Sequence, residues 1–217
     1  MFNKVFCIGF NKTGTSSMHQ LFLELGLASY HGYYSHFPLH DPIFGQFQCF
    51  SDGDQHDFAG LDRAYPGSRF IVTTRRLDDW LVSRVRHVEA RRRIGATGPM
   101  RQEYEADPPA AVRRWIRQRL AYHASVVAHF AGRDDALLVV DICRPADPAA
   151  TRGAITAFLG LPVEPGRGLP HENARDADPP AAPGAPPVRS RAEVLAEVQA
   201  ALAAEALPPA QWGSVFP

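Results

Sequence analysis

Lysine is almost missing from this chain: Lys4 and Lys12 stand against 21 arginines among 217 residues. An ammonium is a compact point charge and a guanidinium a planar fork, so a lysine set inside a glycine loop, as Lys12 is, points to a use that arginine does not fill. An excess of charge of either sign is also missing. With 23 basic and 23 acidic side chains, no global field draws the protein onto nucleic acid or an anionic membrane, and any anion site must be local. The longest charged cluster, Glu89 to Arg93, reads as a solvated helix face. Cysteines are few and odd in number, and Cys7, Cys49 and Cys143 show no CxxC spacing. Buried free thiols are expected, not a disulfide framework or a metal centre. No apolar run approaches a membrane span, and the one before Asn11 and Lys12 is too short for a signal peptide. A cytoplasmic protein without membrane, nucleic-acid or metal partner is expected.

What is present is an ordinary globular composition, 45% hydrophobic and 21% charged, in a chain long enough for one well-buried core. Val5 to Gly9 reads as a strand, followed by a polar loop and a helix through Met18, Leu21, Phe22 and Leu25. Residues 28 to 58 read as irregular, with Tyr30, Tyr33, Tyr34, Phe37, Phe44, Phe47 and Phe50 either walling a pocket or belonging to the core. A short helix from His56 to Tyr65, a buried strand from Arg69 to Thr74 and a helix N-capped by Asp78 or Asp79 come next. Residues 94 to 108 read as a loop, 109 to 131 as a long amphipathic helix, 136 to 140 as a buried strand and 149 to 159 as a helix. Alternation of strand and helix predicts an α/β fold: a single domain of three layers, α/β/α, on a central parallel sheet of the P-loop nucleotide-binding type. The expected divisions are 1–174 for that domain, 175–189 for a Pro/Ala-rich linker, and 190–217 for a C-terminal helix and tail packing on it.

The segment Gly9-Phe10-Asn11-Lys12-Thr13-Gly14-Thr15-Ser16-Ser17 lies between the first strand and the first helix. Successive N–H groups of a glycine-containing turn at a helix N-terminus cradle an anion, the helix dipole helps, and Thr15, Ser16 and Ser17 add hydroxyl donors. In the Walker A pattern the lysine follows the second glycine and a hydroxyl serves Mg²⁺; here Lys12 precedes Gly14 by two residues.

Lys12-Thr13-Gly14-Thr15-Ser16 resembles the 5′-phosphosulfate loop of the sulfotransferases that use 3′-phosphoadenosine 5′-phosphosulfate (PAPS). In that family a strand ends in Arg, a Ser follows eight residues later on the next helix, and the two hold the 3′-phosphate. The segment RFIVTTRRLDDWLVS supplies Arg75 and Ser83 at that spacing. The Tyr-Pro-Gly-Ser-Arg-Phe-Ile run ahead of the strand, Trp80, Phe158-Leu159-Gly160-Leu161-Pro162 and Pro170-His171-Glu172-Asn173 are similar to bacterial members. The resemblance spans residues 4 to 174.

It implies transfer of a sulfuryl group from PAPS to a hydroxyl or amine of a small-molecule acceptor. Lys12 would act on the leaving oxygen, Lys12, Thr13, Gly14, Thr15, Ser16 and Ser17 would hold the 5′-phosphosulfate, Arg75 and Ser83 would hold the 3′-phosphate, and no metal is called for. Two departures from the family stand out. Where animal and plant members carry a Thr-His pair, this chain has Phe50-Ser51-Asp52-Gly53-Asp54. Asp52 is the candidate base, with an Asx turn or helix cap as its alternative use and His31, His36, His40 and His56 as rivals. The family's C-terminal Arg-Lys-Gly element is not recognisable, which leaves Arg175, Arg189 or Arg191 as substitutes. A P-loop kinase of a small metabolite, or a catalytically silent nucleotide-binding relative, are the competing readings. The identity of the acceptor and the oligomeric state are not legible.

Overall fold

The structure, a computed structural model, describes residues 2–170, 187–207 and 209–212. Most of the expected linker, His171-Glu172-Asn173 and Arg175 lie outside the described residues. In chain order the elements begin β1 Val5–Cys7, α1 Thr15–Glu24, β2 Ser29–His31, α2 Ile43–Gln46, β3 Cys49–Ser51, α3 Phe58–Ala64 and β4 Arg69–Thr74. They continue α4 Leu77–Arg93, α5 Pro99–Ala106, α6 Pro108–Phe130, β5 Leu137–Asp141, α7 Pro148–Phe158, α8 Arg191–Ala204 and α9 Pro209–Trp212. The chain forms two compact units, residues 1–75 with 125–174 and residues 76–124 with 175–217.

The first unit holds the five strands found among the described residues, every pairing parallel, in the order β2-β3-β1-β4-β5. Side chains alternate across a pleat, so one strand feeds two cores. Val5, Cys7, Cys49 and Ile71 face Met18, Leu21 and Phe22 of α1 and Ile155 of α7. Phe6, between Val5 and Cys7, faces the other way and packs on Phe50 and Phe70 at 5.4 and 5.6 Å, on Tyr34 at 6.0 Å, on Phe44 of α2 at 6.1 Å and on Tyr65 at 5.7 Å. Phe130 closes on Phe70 at 4.8 Å. Aromatic pairs at such separations add about 0.5–1.5 kcal/mol beyond their area. These are the three layers that the alternation of strand and helix predicts.

Four local expectations are corrected. Residues 28–58 carry β2 and β3, each three residues long, too short for alternation to show; pairing forms them, with Val5 opposite Cys49 and Ser29 opposite Cys49 on the other side. Tyr34, Phe44 and Phe50 of the same stretch are buried, so these three aromatics belong to the core and do not wall a pocket. Residues 94–108 contain α5, opened by Pro99 at its first position, where a missing N–H costs nothing. Neither Asp78 nor Asp79 is an N-cap: α4 begins at Leu77 after Arg76, and both carboxylates lie in the first turn, where the dipole favours negative charge.

The second unit is helical. The Arg84 guanidinium lies between Trp80 and Trp115, 5.1 and 4.8 Å from their ring centres, and Arg119 lies over Trp80 at 4.8 Å. Arg189 donates to Glu89 at 2.6 Å, to Glu197 at 2.7 Å and to the Tyr104 hydroxyl at 2.5 Å. Arg191 is bonded to Asp79. Helix α8 opens with a capping box between Ser190 and Glu193.

One contact in the first unit governs the loop after β1. A Cβ on Gly9 would stand 2.3 Å from the Thr73 carbonyl oxygen and 2.5 Å from Thr73 Oγ1. Gly9→Ala should therefore force β1 and β4 apart, lowering stability by about 1–3 kcal/mol and the melting temperature by several degrees. A calorimetric melt superimposable on wild type would show that the contact is loose.

Candidate functional site

Strand order gives the candidate site a position. From β1 the chain passes through α1 to β2 on one side of the sheet, whereas β4 has β5 on its other side. Beyond the carboxyl ends of β1 and β4 the connections diverge, and open parallel sheets bind ligands in the crevice at such a switch point. The loop 8–14 leaves β1 there, and Arg75 follows β4.

The loop is sharply bent. Lys12 at φ 66° and Gly14 at φ 91° are both left-handed, a conformation that for lysine costs on the order of 1 kcal/mol and persists only where the surroundings impose it. At Gly14 a side chain is excluded twice, by φ and by Ile142, whose Cγ1 would stand 2.7 Å from a Cβ. The bend is held from beneath: Thr13 Oγ1 donates to the Phe10 carbonyl at 2.5 Å and lies 2.8 Å from Thr73 Oγ1. The Thr13 hydroxyl thus braces the loop against β4, and its backbone N–H is what it can offer a ligand. Arg75 Nη1 donates to the Lys12 carbonyl at 3.4 Å, which brings the two cationic residues to one bend. Gly14 is the N-cap of α1, with no side-chain capping bond and no acidic residue in the first turn. The N–H groups at the start of α1, the helix dipole, a lysine and the Ser16 hydroxyl form a donor set suited to a phosphate or sulfate ester, whereas the Thr15 hydroxyl is given to a carboxylate and Ser17 is buried. Ser83 lies on α4, in the second unit.

The segment after β3 meets this loop. Asp52 Oδ1 accepts from the Thr15 hydroxyl at 3.2 Å, and Asp54 Oδ1 from the Asn11 N–H at 3.2 Å. Asp52 at φ 86° and Gln55 at φ 48°, flanking Gly53 at φ 127°, are left-handed non-glycine residues, a concentration of strain typical of functional turns. The four histidine rivals separate. His36 is exposed and stacked on Tyr33 at 5.3 Å, and His40 is exposed. His31 Nε2 lies 3.2 Å from Ser16 Oγ. His56 is 3% exposed, stacks on Tyr34 at 4.3 Å, and neither ring nitrogen has a hydrogen-bond partner among the described residues. Burial, with a lesser contribution from His36, pushes its pKa down to about 3. Arg189 and Arg191, offered as substitutes for the missing C-terminal element, are both engaged by carboxylates of the second unit.

Sequence reasoning missed Thr73, Asp54 and the contact of His31 with Ser16. The rule that ligands lie beyond the carboxyl ends of strands could have found Asp54, had β3 been seen.

A model of the sulfotransferase domain family matches residues 4–136, more than half of the chain and a run that passes through both compact units. The chain belongs to the sulfotransferase family. A sulfotransferase crystal structure from Alicyclobacillus acidocaldarius has the same fold, with a TM-score of 0.55, 17% identity and 98% of each chain covered. No curated protein matches the chain. Membership supports sulfotransfer as the chemistry of the chain. Among the described residues there is no cluster of three or more His, Cys, Asp or Glu that could hold a metal, and no helix long and apolar enough to cross a membrane.

In this sulfotransferase, His56 should make stability acid-sensitive. Its folded-state pKa of about 3 lies below the ordinary 6.5. Between those values the unfolded chain binds a proton that the folded chain refuses, so stability falls as pH drops through that window, by up to about 1.4 kcal/mol per unit. His56→Phe keeps the ring stack and removes both unpartnered nitrogens. It should flatten this slope and raise stability at neutral pH by roughly 1 kcal/mol. Urea unfolding at pH 7 and at mildly acid pH measures both, and an unchanged slope would contradict the assignment.

Proposed function

We propose that the chain transfers the sulfuryl group of PAPS to a hydroxyl or amine of a small-molecule acceptor. The observation that carries this reading is the left-handed Lys12, set two residues before the uncapped start of α1, with Arg75 held against its carbonyl. When bound, PAPS supplies an activated sulfuryl group whose in-line transfer builds charge on the oxygen departing toward adenosine 3′,5′-bisphosphate.

The residues then divide the work. The Lys12 ammonium neutralises the departing oxygen. The amides from Thr13 to Ser17, with the Ser16 hydroxyl, hold the 5′-phosphate, while Thr15, whose hydroxyl proton goes to Asp52, contributes through its backbone N–H. For the 3′-phosphate the support is sequence spacing, Arg75 followed eight residues later by Ser83. Fixed donors of this kind are worth on the order of 3 kcal/mol each when they face charge that develops in the transition state. Asp52, joined to Thr15 and thus at the same crevice, receives the proton that a hydroxyl acceptor must lose. Its left-handed backbone aims the carboxylate back at the loop.

Calorimetry with adenosine 3′,5′-bisphosphate against ATP plus Mg²⁺ tests the donor, and PAPS consumption over a panel of phenols, alcohols and amines tests the reaction. Binding of the bisphosphate and rejection of ATP are expected; the opposite preference would favour a kinase. Lys12→Ala should lower turnover at least about a hundredfold. Asp52→Asn should lower kcat with little change in the KM for PAPS, and an undiminished kcat would remove it as the base.

A further inference from the structure

The Ser16 hydroxyl has one proton and two competing claims on it. A 5′-phosphate needs that proton, because its oxygens only accept. His31 Nε2, 3.2 Å from Ser16 Oγ, could also take it: a bare Nε2 would draw the O–H to itself and leave only lone pairs facing the anion. An Nε2–H reverses the polarity. It donates to Ser16 Oγ, occupies a lone pair and leaves the O–H to turn toward phosphate.

What lies on the far side of the ring decides between these. His31 Nδ1 is 3.1 Å from Ser51 Oγ, and Ser51 is fully buried at the end of β3. Ser51 Oγ also donates to the Tyr30 carbonyl, at the longer distance of 3.4 Å, so its one proton has two acceptors in range, of which His31 Nδ1 is the nearer. A Ser51 hydroxyl that donates to Nδ1 requires that nitrogen to be bare, which in a neutral ring puts the proton on Nε2. The ring is also held in place: His19 stacks on it at 5.3 Å and is itself anchored by Nδ1 to Ser29 Oγ at 2.8 Å. The parallel register sets His31 opposite Ser51, so β2, β3 and the first turn of α1 supply one link each.

We propose that His31 is a positioning residue of the donor loop: oriented by Ser51, it points the Ser16 hydroxyl at the 5′-phosphate of the bound nucleotide. The inference rests on the PAPS reading above and adds a residue to it. His31 touches no reacting atom and acts only through Ser16.

The test compares two nucleotides by calorimetry on the full chain: adenosine 3′,5′-bisphosphate, and adenosine 3′-monophosphate, which lacks the 5′-phosphate. His31→Ala should weaken the bisphosphate about tenfold, the scale of one hydrogen bond to a charged group, and leave the monophosphate unchanged. Ser16→Ala should do the same, and the double variant should be no worse than Ser16→Ala alone. His31→Gln, whose amide N–H can face Ser16, should recover most of the loss. Ser51→Ala supplies a second variant should His31→Ala not fold, with a smaller loss confined to the bisphosphate. Wild-type affinity in His31→Ala, equal losses for both nucleotides, or additive losses in the double variant would each overturn the proposal. If the wild-type protein binds neither nucleotide, the PAPS reading falls, and this inference with it.

Discussion

The site depends on how closely the chain leaving β1 approaches β4. Gly9 lies where a single methyl group would collide with the Thr73 backbone, and four residues later Thr13 turns its hydroxyl onto Thr73 Oγ1. With both contacts in place the intervening residues have little room, and Lys12 takes a backbone conformation that an L-residue avoids. The bend lets α1 start at Thr15 with no side-chain cap on its N-terminus, and it presents the Lys12 carbonyl to Arg75. The shape of the bend therefore follows from strand packing and not from the loop's own preference.

Around the cradle, the hydroxyl-bearing residues at the start of α1 are met by residues from neighbouring strand ends. Thr15 meets Asp52 and Ser16 meets His31. Parallel strands make this arrangement natural, because their carboxyl ends emerge on one edge and whatever follows each strand gathers there. The left-handed Asp52 and Gln55 show that the turn after β3 is shaped by what it must reach.

The scarcity of lysine also finds an account. In the helical unit, arginines do what a guanidinium does well: Arg84 and Arg119 lie over tryptophan rings, and Arg189 satisfies two carboxylates and a phenol at once. Of the two lysines, Lys4 donates to the Phe47 carbonyl at 2.8 Å and ties the start of β1 to the approach to β3. Lys12 lies in the bend after β1, and under the proposed reading its compact charge suits a single departing oxygen.

Much of this could be read directly. Arg69–Thr74 is an unbroken β-branched and aromatic run that could only be a buried strand, and Gly9 to Ser17 carries its anion chemistry in residue type and spacing. Helix boundaries at Pro108, Pro148 and Ser190 follow from local chemistry, since proline and capping residues act within one turn. Strands β2 and β3 stayed hidden because three residues hold no period, and their strand character comes from pairing with β1. The burial of Tyr34, Phe44 and Phe50 is likewise non-local, and the brace of Thr13 on Thr73 and the link from Ser51 through His31 to Ser16 join residues 15 to 60 positions apart. Local propensity determined the loop and its neighbours in the chain. Only the order and register of parallel strands, set by long-range packing, decided which side chains would meet it.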